Sequence, residues 1–153
     1  MPPFVIVDLE GTAAKIVLMA LSQADLAIVP TQGSQLDAEQ AGRAIKAIRD
    51  AERLTRKPLP YGVLLTRTNP AIRTRSTAHV WSTLSNASIP LFDTELNERE
   101  AFRAVFAFRT PLEALDPSAV ANLDKAIANA QEFAAEVVQK LRGHMVHSEE
   151  RAA

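Results

Sequence analysis

The chain has 153 residues, 47% of them hydrophobic, which suits a single domain burying about 68–70% of its unfolded surface. Seventeen basic residues against eighteen acidic ones leave a formal net charge of -1, so no global attraction to nucleic acid or to an anionic membrane is expected, and any such contact has to come from a local patch. The absence of cysteine removes disulfide and thiol chemistry. With no secretory leader or long apolar stretch after Met1-Pro2-Pro3, a cytoplasmic protein without membrane attachment is expected.

The first apolar run, Phe4-Val5-Ile6-Val7, predicts a strand buried on both faces, as in a parallel sheet. Asp8 falls at its carboxyl end, the edge where open α/β sheets bind ligands, and Gly11 offers a backbone N–H that can approach a phosphate closely. A carboxylate there can hold Mg²⁺ directly or through water; the same acid-then-glycine pattern also fits a plain turn. Thr12 to Leu21 predicts a helix, and Leu26-Ala27-Ile28-Val29-Pro30 a second buried strand. Strand, acid, glycine, helix and strand make a parallel crossover unit.

Asp8-Leu9-Glu10-Gly11, followed by Ala20-Leu21-Ser22-Gln23-Ala24-Asp25-Leu26-Ala27-Ile28-Val29-Pro30-Thr31, resembles the Walker B and switch II region of the ParA/MinD family of partitioning ATPases. The Glu-Gly version of the motif is most similar to ParA-like proteins of conjugation and T-DNA transfer. The resemblance runs from Phe4 to about Leu141 and is most specific between Asp8 and Thr31. It implies an α/β fold with a mostly parallel sheet and flanking helices, a Rossmann-like three-layer P-loop NTPase, over residues 1–143, followed by a polar tail over 144–153.

Members of that family carry a phosphate loop of the form Lys-Gly-Gly-x-Gly-Lys-Thr upstream of this region, and no such run is present among the 153 residues. The resemblance is therefore to the carboxyl-terminal part of a ParA-like protein. In the family the phosphate-loop strand lies between the Asp8-type and Leu26-type strands, so its absence implies open sheet edges that invite a homodimeric or heteromeric partner.

Further along, Ser34 and Asp37 form a capping signal for a helix whose apolar positions are Ala41, Ala44, Ile45 and Ile48. Its other face carries Arg43, Lys46, Arg49, Arg53, Arg56 and Lys57, a pattern that fits a solvated face or a partner surface. Tyr61 to Thr66 predicts a strand ending in the turn signal Arg67-Thr68-Asn69-Pro70. A helix from about Ser76 to Asn86 carries Val80, Trp81 and Leu84, with Trp81 expected in the core or at a subunit contact. Ile89 to Phe92 predicts a short edge strand because of Pro90. Asn97 is placed to cap a helix with an apolar face of Ala101, Phe102, Val105 and Phe106.

For the last helix, Asp116 is the expected cap and Pro117 the first turn. Val120, Leu123, Ile127, Ala130, Ala134, Val137 and Leu141 form its expected inward face, and Gly143 its stop. His144 and His147, three residues apart, sit in the tail without an acid pattern to complete a metal site.

By resemblance, Asp8 holds the Mg²⁺-bound water, Glu10 orients the attacking water or pairs with a neighbouring cation, and Gly11 senses the γ-phosphate of ATP. Thr66 and Asn69 are the implied adenine contacts, although Asn69 also fits a turn held by its own side chain. Arg73 and Arg75 occupy the place of basic residues that bind DNA without sequence preference. The implied functions are plasmid or chromosome partition and conjugal transfer, in a chain unable to hydrolyse ATP alone. A non-enzymatic DNA- or partner-binding module is the alternative.

Overall fold

In the computed structural model, residues 4–9, 14–72 and 74–152 are described, the side chains of residues 14, 35 and 145–152 excepted. The elements in order are α1 (Ala14–Leu21), β1 (Ala27–Thr31), α2 (Gln35–Thr55), β2 (Tyr61–Thr68), α3 (Arg75–Asn86), β3 (Leu96–Asn97), α4 (Glu100–Phe108), a 3-10 turn (Leu112–Ala114) and α5 (Leu123–Ala152). Among the described residues the sheet has three strands in the order β1-β2-β3, all parallel, so the expected α/β class with a parallel sheet between helices is the observed one.

Local chemistry accounts for the central unit. The Ser34 hydroxyl accepts from the Asp37 N–H at 3.2 Å and donates to the Asp37 carboxylate, fixing the start of α2. Arg56, in the left-handed region at φ 56°, ends that helix. β1 and β2 then pair in a register that sets Ala27 opposite Tyr61 and Val29 opposite Val63. Side chains on that face join Ala41, Ile45 and Ile48 of α2 and Val80 and Leu84 of α3 in the main core. Each of these large aliphatic side chains contributes about 1.5–3 kcal/mol by leaving water.

On the opposite face Phe92 lies against Gly62, and Phe133 of α5 meets the Phe92 ring edge-on, with centroids 5.4 Å apart. This places α5 beside β3, on the side of the sheet where Phe92 lies, and makes three layers. β1 receives no such cover: its burial alternates, and Ile28 is 38% exposed. The expectation that β1 is buried on both faces is therefore corrected. A second core joins α4 to the start of α5 through Ala101, Ala104, Leu115, Val120, Leu123 and Ala126.

The expected strand Phe4–Val7 is not formed. Its residues belong to no ladder and are exposed, Val5 at 84% and Ile6 at 93%. The reason is that an apolar run becomes a strand only beside a neighbour that accepts its hydrogen bonds. β2 is already flanked by β1 and, through the Val63–Leu91 bridge, by the segment leading to β3. The outer edge of β1 is impaired, because the Ala27 N–H bonds to the Pro60 carbonyl and alternation then turns Ile28 and Pro30 outward, where proline has no N–H to give.

Four further expectations change. Asn97 lies in β3 instead of capping α4, which starts at Glu100 after Arg99. Phe106 is exposed, since Ala101 and Ala104 supply the buried face of α4. Asp116 closes only a local turn through Ser118, and α5 begins at Leu123 after Asn122 in the left-handed region, then continues past Gly143 to Ala152. A single glycine costs a helix about 1 kcal/mol and stops it only if the chain there turns left-handed, which Gly143 does not do.

Candidate functional site

Parallel strands bring their carboxyl ends to one edge, and here that edge gathers Thr31 from β1 and Thr66 and Thr68 from β2. The N-termini of α2, α3 and α4 follow these strands. The Thr66 hydroxyl donates to the Thr31 carbonyl at 3.4 Å. Thr31 is 3% exposed, and its own hydroxyl oxygen has no hydrogen-bond partner. Above it the chain turns tightly: a Cβ on Gly33 would lie 2.3 Å from the Thr77 hydroxyl oxygen, so α3 seats directly on the β1–α2 turn.

Asn69 makes the turn that its alternative reading predicts. Its side-chain oxygen accepts the N–H groups of Ala71 at 2.9 Å and Ile72 at 3.3 Å. The Thr74 hydroxyl accepts the Thr77 N–H and starts α3 one residue earlier than expected, at Arg75, which is exposed. Arg67 is likewise exposed, with φ 53°. Trp81 is 40% exposed on α3, so the core half of its expectation gives way to a partly solvated position.

A polar network that the sequence pattern does not display holds the segment after Phe92. Glu136 of α5 accepts the N–H groups of Asp93 at 2.9 Å and Thr94 at 2.8 Å. Asn129, two turns earlier on the same helix, accepts the Asn97 N–H at 3.0 Å and donates to the Glu95 carbonyl at 2.8 Å. Asn97 in turn donates to the Thr68 hydroxyl at 3.0 Å. Burial pushes the Glu136 carboxyl up, but the backbone N–H groups of Thr94 and Asp93, with Lys140 at 3.3 Å, outweigh it and hold the group below the ordinary carboxylate range. The expected inner face of α5 holds at Val120, Leu123, Ile127, Ala130, Val137 and Leu141, with Asn129 and Glu136 added to it, whereas Ala134 is exposed. Arg99 reaches the same network, its Nη2 donating to Asn97 at 3.4 Å while its Nε is buried without a partner.

Of the sequence-predicted site residues, Thr66 and Asn69 stand together at the carboxyl edge, and Arg75 opens α3 beside them. Asp8 is exposed in the segment before α1 that pairs with no strand, so the sheet does not fix it at that edge. Glu10, Gly11 and Arg73 lie outside the described residues. Among the described residues no group of three or more His, Asp or Glu side chains is placed to hold a metal ion. The Thr66 hydroxyl and the Asn69 side-chain oxygen are each engaged by backbone groups. No helix among the described residues is long and apolar enough to cross a membrane.

No family model matches the chain. Over 137 residues it is 34% identical to "Protein ParA" of Rhizobium radiobacter, a match that covers 90% of this chain and 61% of that protein. The chain thus spans about three-fifths of the length of the curated relative it matches. That similarity supports a ParA-like family, in agreement with the parallel α/β fold.

Proposed function

We propose, from the ParA-like kinship, that the chain is a homologue of partitioning and DNA-transfer ATPases of the conjugation type that does not hydrolyse ATP by itself. The observation carrying this reading is that the 153 residues contain no Lys-Gly-Gly-x-Gly-Lys-Thr run, while the Walker B-like segment 8–11 is present. Phosphoryl transfer depends on positioning and on stabilising charge around the phosphates, and the phosphate loop supplies most of those groups. The placement of Asp8 outside the sheet supports the same reading, since a metal-side carboxylate needs a fixed position.

The test is thermal unfolding with and without Mg-ATP. A ligand stabilises only what it binds, so the midpoint is expected to stay unchanged. A rise of several degrees that disappears in Asp8→Ala overturns the proposal.

A second reading is a non-enzymatic module that contacts duplex DNA or a protein partner. Exposed Arg67 and Arg75 at the carboxyl edge favour it, with Arg73 adding to them by sequence. Arg75 opens α3, where a cation opposes the helix dipole, so its presence is not explained by helix stability. Binding through phosphate contacts weakens steeply with salt. A low-salt gel assay is expected to show a shift that fades in the Arg73→Ala/Arg75→Ala double variant; no shift at low salt removes the DNA form of this reading.

A further inference from the structure

The outward face of α2 carries charges that the fold does not use. Arg43, Lys46, Arg49 and Arg53 are all exposed and follow one another at steps of three, three and four, so each stands over the next on the side of the helix turned away from Ala41, Ile45 and Ile48. Among the described residues Arg53 meets Asp50 at 3.5 Å, while Arg43, Lys46 and Arg49 make no ion pair, although Glu39 and Asp50 lie one turn from Arg43 and Lys46. Like charges at these spacings destabilise a helix, and a solvated face ordinarily alternates their signs. The helix dipole favours a cation only in the last turn, which accounts for Arg53 and not for the three cations before it. Beside the stripe, Leu36 and Leu54 are 66% and 73% exposed, and they share one line of the helix, five whole turns and about 27 Å apart. This surface lies on the far side of α2 from the sheet, so its exposure does not depend on what pairs with the outer edge of β1.

We propose that the outward face of α2 docks an acidic amphipathic helix of a partner protein, its carboxylates along the cationic stripe and its apolar side chains over Leu36 and Leu54. This gives a chemistry to the protein-partner form of the second reading above and rests on that form; Arg73 and Arg75, which the DNA assay addresses, are no part of α2, so the two can fail separately. Charge complementarity selects the sign of the occupant, and the leucines select its kind. A phosphate backbone would leave Leu36 and Leu54 in water and would meet Glu39 and Asp50, which stand within the stripe, as like charges. An anionic membrane takes up a helix by a continuous apolar face, and α2 turns its own to the core. A partner helix answers both features: its carboxylates repeat at the same steps of three and four, a cation among them meets Asp50, and leucines toward its ends cover Leu36 and Leu54.

The probe is a fluorescent synthetic peptide of about three heptads, the length of α2, with leucine at positions a and d and glutamate at e and g, where mutual repulsion keeps it from pairing with itself. Titration with the full chain at low salt is expected to give a saturable rise in anisotropy that falls as salt is added. The Lys46→Gln/Arg49→Glu double variant is expected to bind about tenfold or more weakly, and Leu54→Asp, at an exposed position, to weaken binding independently. The thermal midpoint of the double variant is expected to stay the same or rise, because the substitutions remove repulsion along the stripe. A peptide with glutamine in place of every glutamate is expected not to bind, and a short DNA duplex and phosphatidylserine vesicles are expected to treat parent and double variant alike. No binding of the glutamate peptide at low salt, binding indifferent to the double variant or shared by the glutamine peptide, or duplex or vesicle binding that the double variant loses overturns the inference.

Discussion

The Phe92 ring fills the space that a side chain at position 62 would need: a Cβ placed on Gly62 would lie 2.8 Å from Phe92 Cε2. The backbone at Gly62 is not in the left-handed region, so the requirement for glycine is steric. Gly62→Ala is expected to destabilise by about 1–3 kcal/mol, as overpacking in a close-packed core does. Phe92→Leu in the same chain should recover part of that loss, and chemical denaturation of the two single variants and the double variant measures the coupling.

Glu136 holds two backbone N–H groups that no strand serves. Glu136→Gln keeps the size but replaces one acceptor with an NH₂ group, leaving one of those donors unpaired at about 1–3 kcal/mol. The pH dependence follows from the lowered pKa of the carboxyl. Its contribution is complete above the unfolded value, near 4.3 for an ordinary glutamate, and is lost as pH falls through the folded value. Acid titration of the unfolding midpoint should therefore decline less in the Gln variant than in the parent over that range.

Gly143 lies inside α5, and a Cβ there would meet nothing within 4 Å. Gly143→Ala is expected to stabilise by about 0.4–1 kcal/mol through helix propensity. A helix stop at this position would instead make the substitution neutral or unfavourable, so the sign of the change in thermal midpoint tests the length of α5.

Asn129 is 8% exposed and makes both of its hydrogen bonds to the backbone of residues 95–97. Asn129→Leu fills a similar volume but removes both bonds, and a loss of about 2–3 kcal/mol is expected. Amide exchange should show the Asn97 N–H losing protection first, with the β1–β2 amides unaffected.

The elements legible in the sequence were those whose signals are local. Ser34 and Asp37 announced α2, the spacing of Val80 and Leu84 announced α3, and the short apolar runs announced β1 and β2 within two residues of their observed bounds. The strand expected at Phe4–Val7 failed because pairing is a property of the neighbour and not of the run. The inner face of α5 was legible from Val120, Leu123 and Ile127, but Asn129 and Glu136 on it were not, because a search for apolar periodicity passes over residues whose partners are backbone amides. β3 has only two residues, too few for any alternation to show. At the carboxyl edge, the turn made by Asn69 was legible from the Asn-Pro pair, whereas Thr31, Asn97 and Arg99 carry no local pattern and are brought there by the sheet order.

The main core draws only on residues between Leu21 and Leu84, with Val17, Leu18, Ile89 and Leu91 at its margins, and the second core only on residues from Ala101 to Ala126. Because the two sets do not interleave along the chain, the first can assemble while the second is still emerging from the ribosome. Helix α5 ties the two together: Leu123 and Ala126 at its start belong to the second core, while Phe133 and Glu136 further along hold the segment that follows β2.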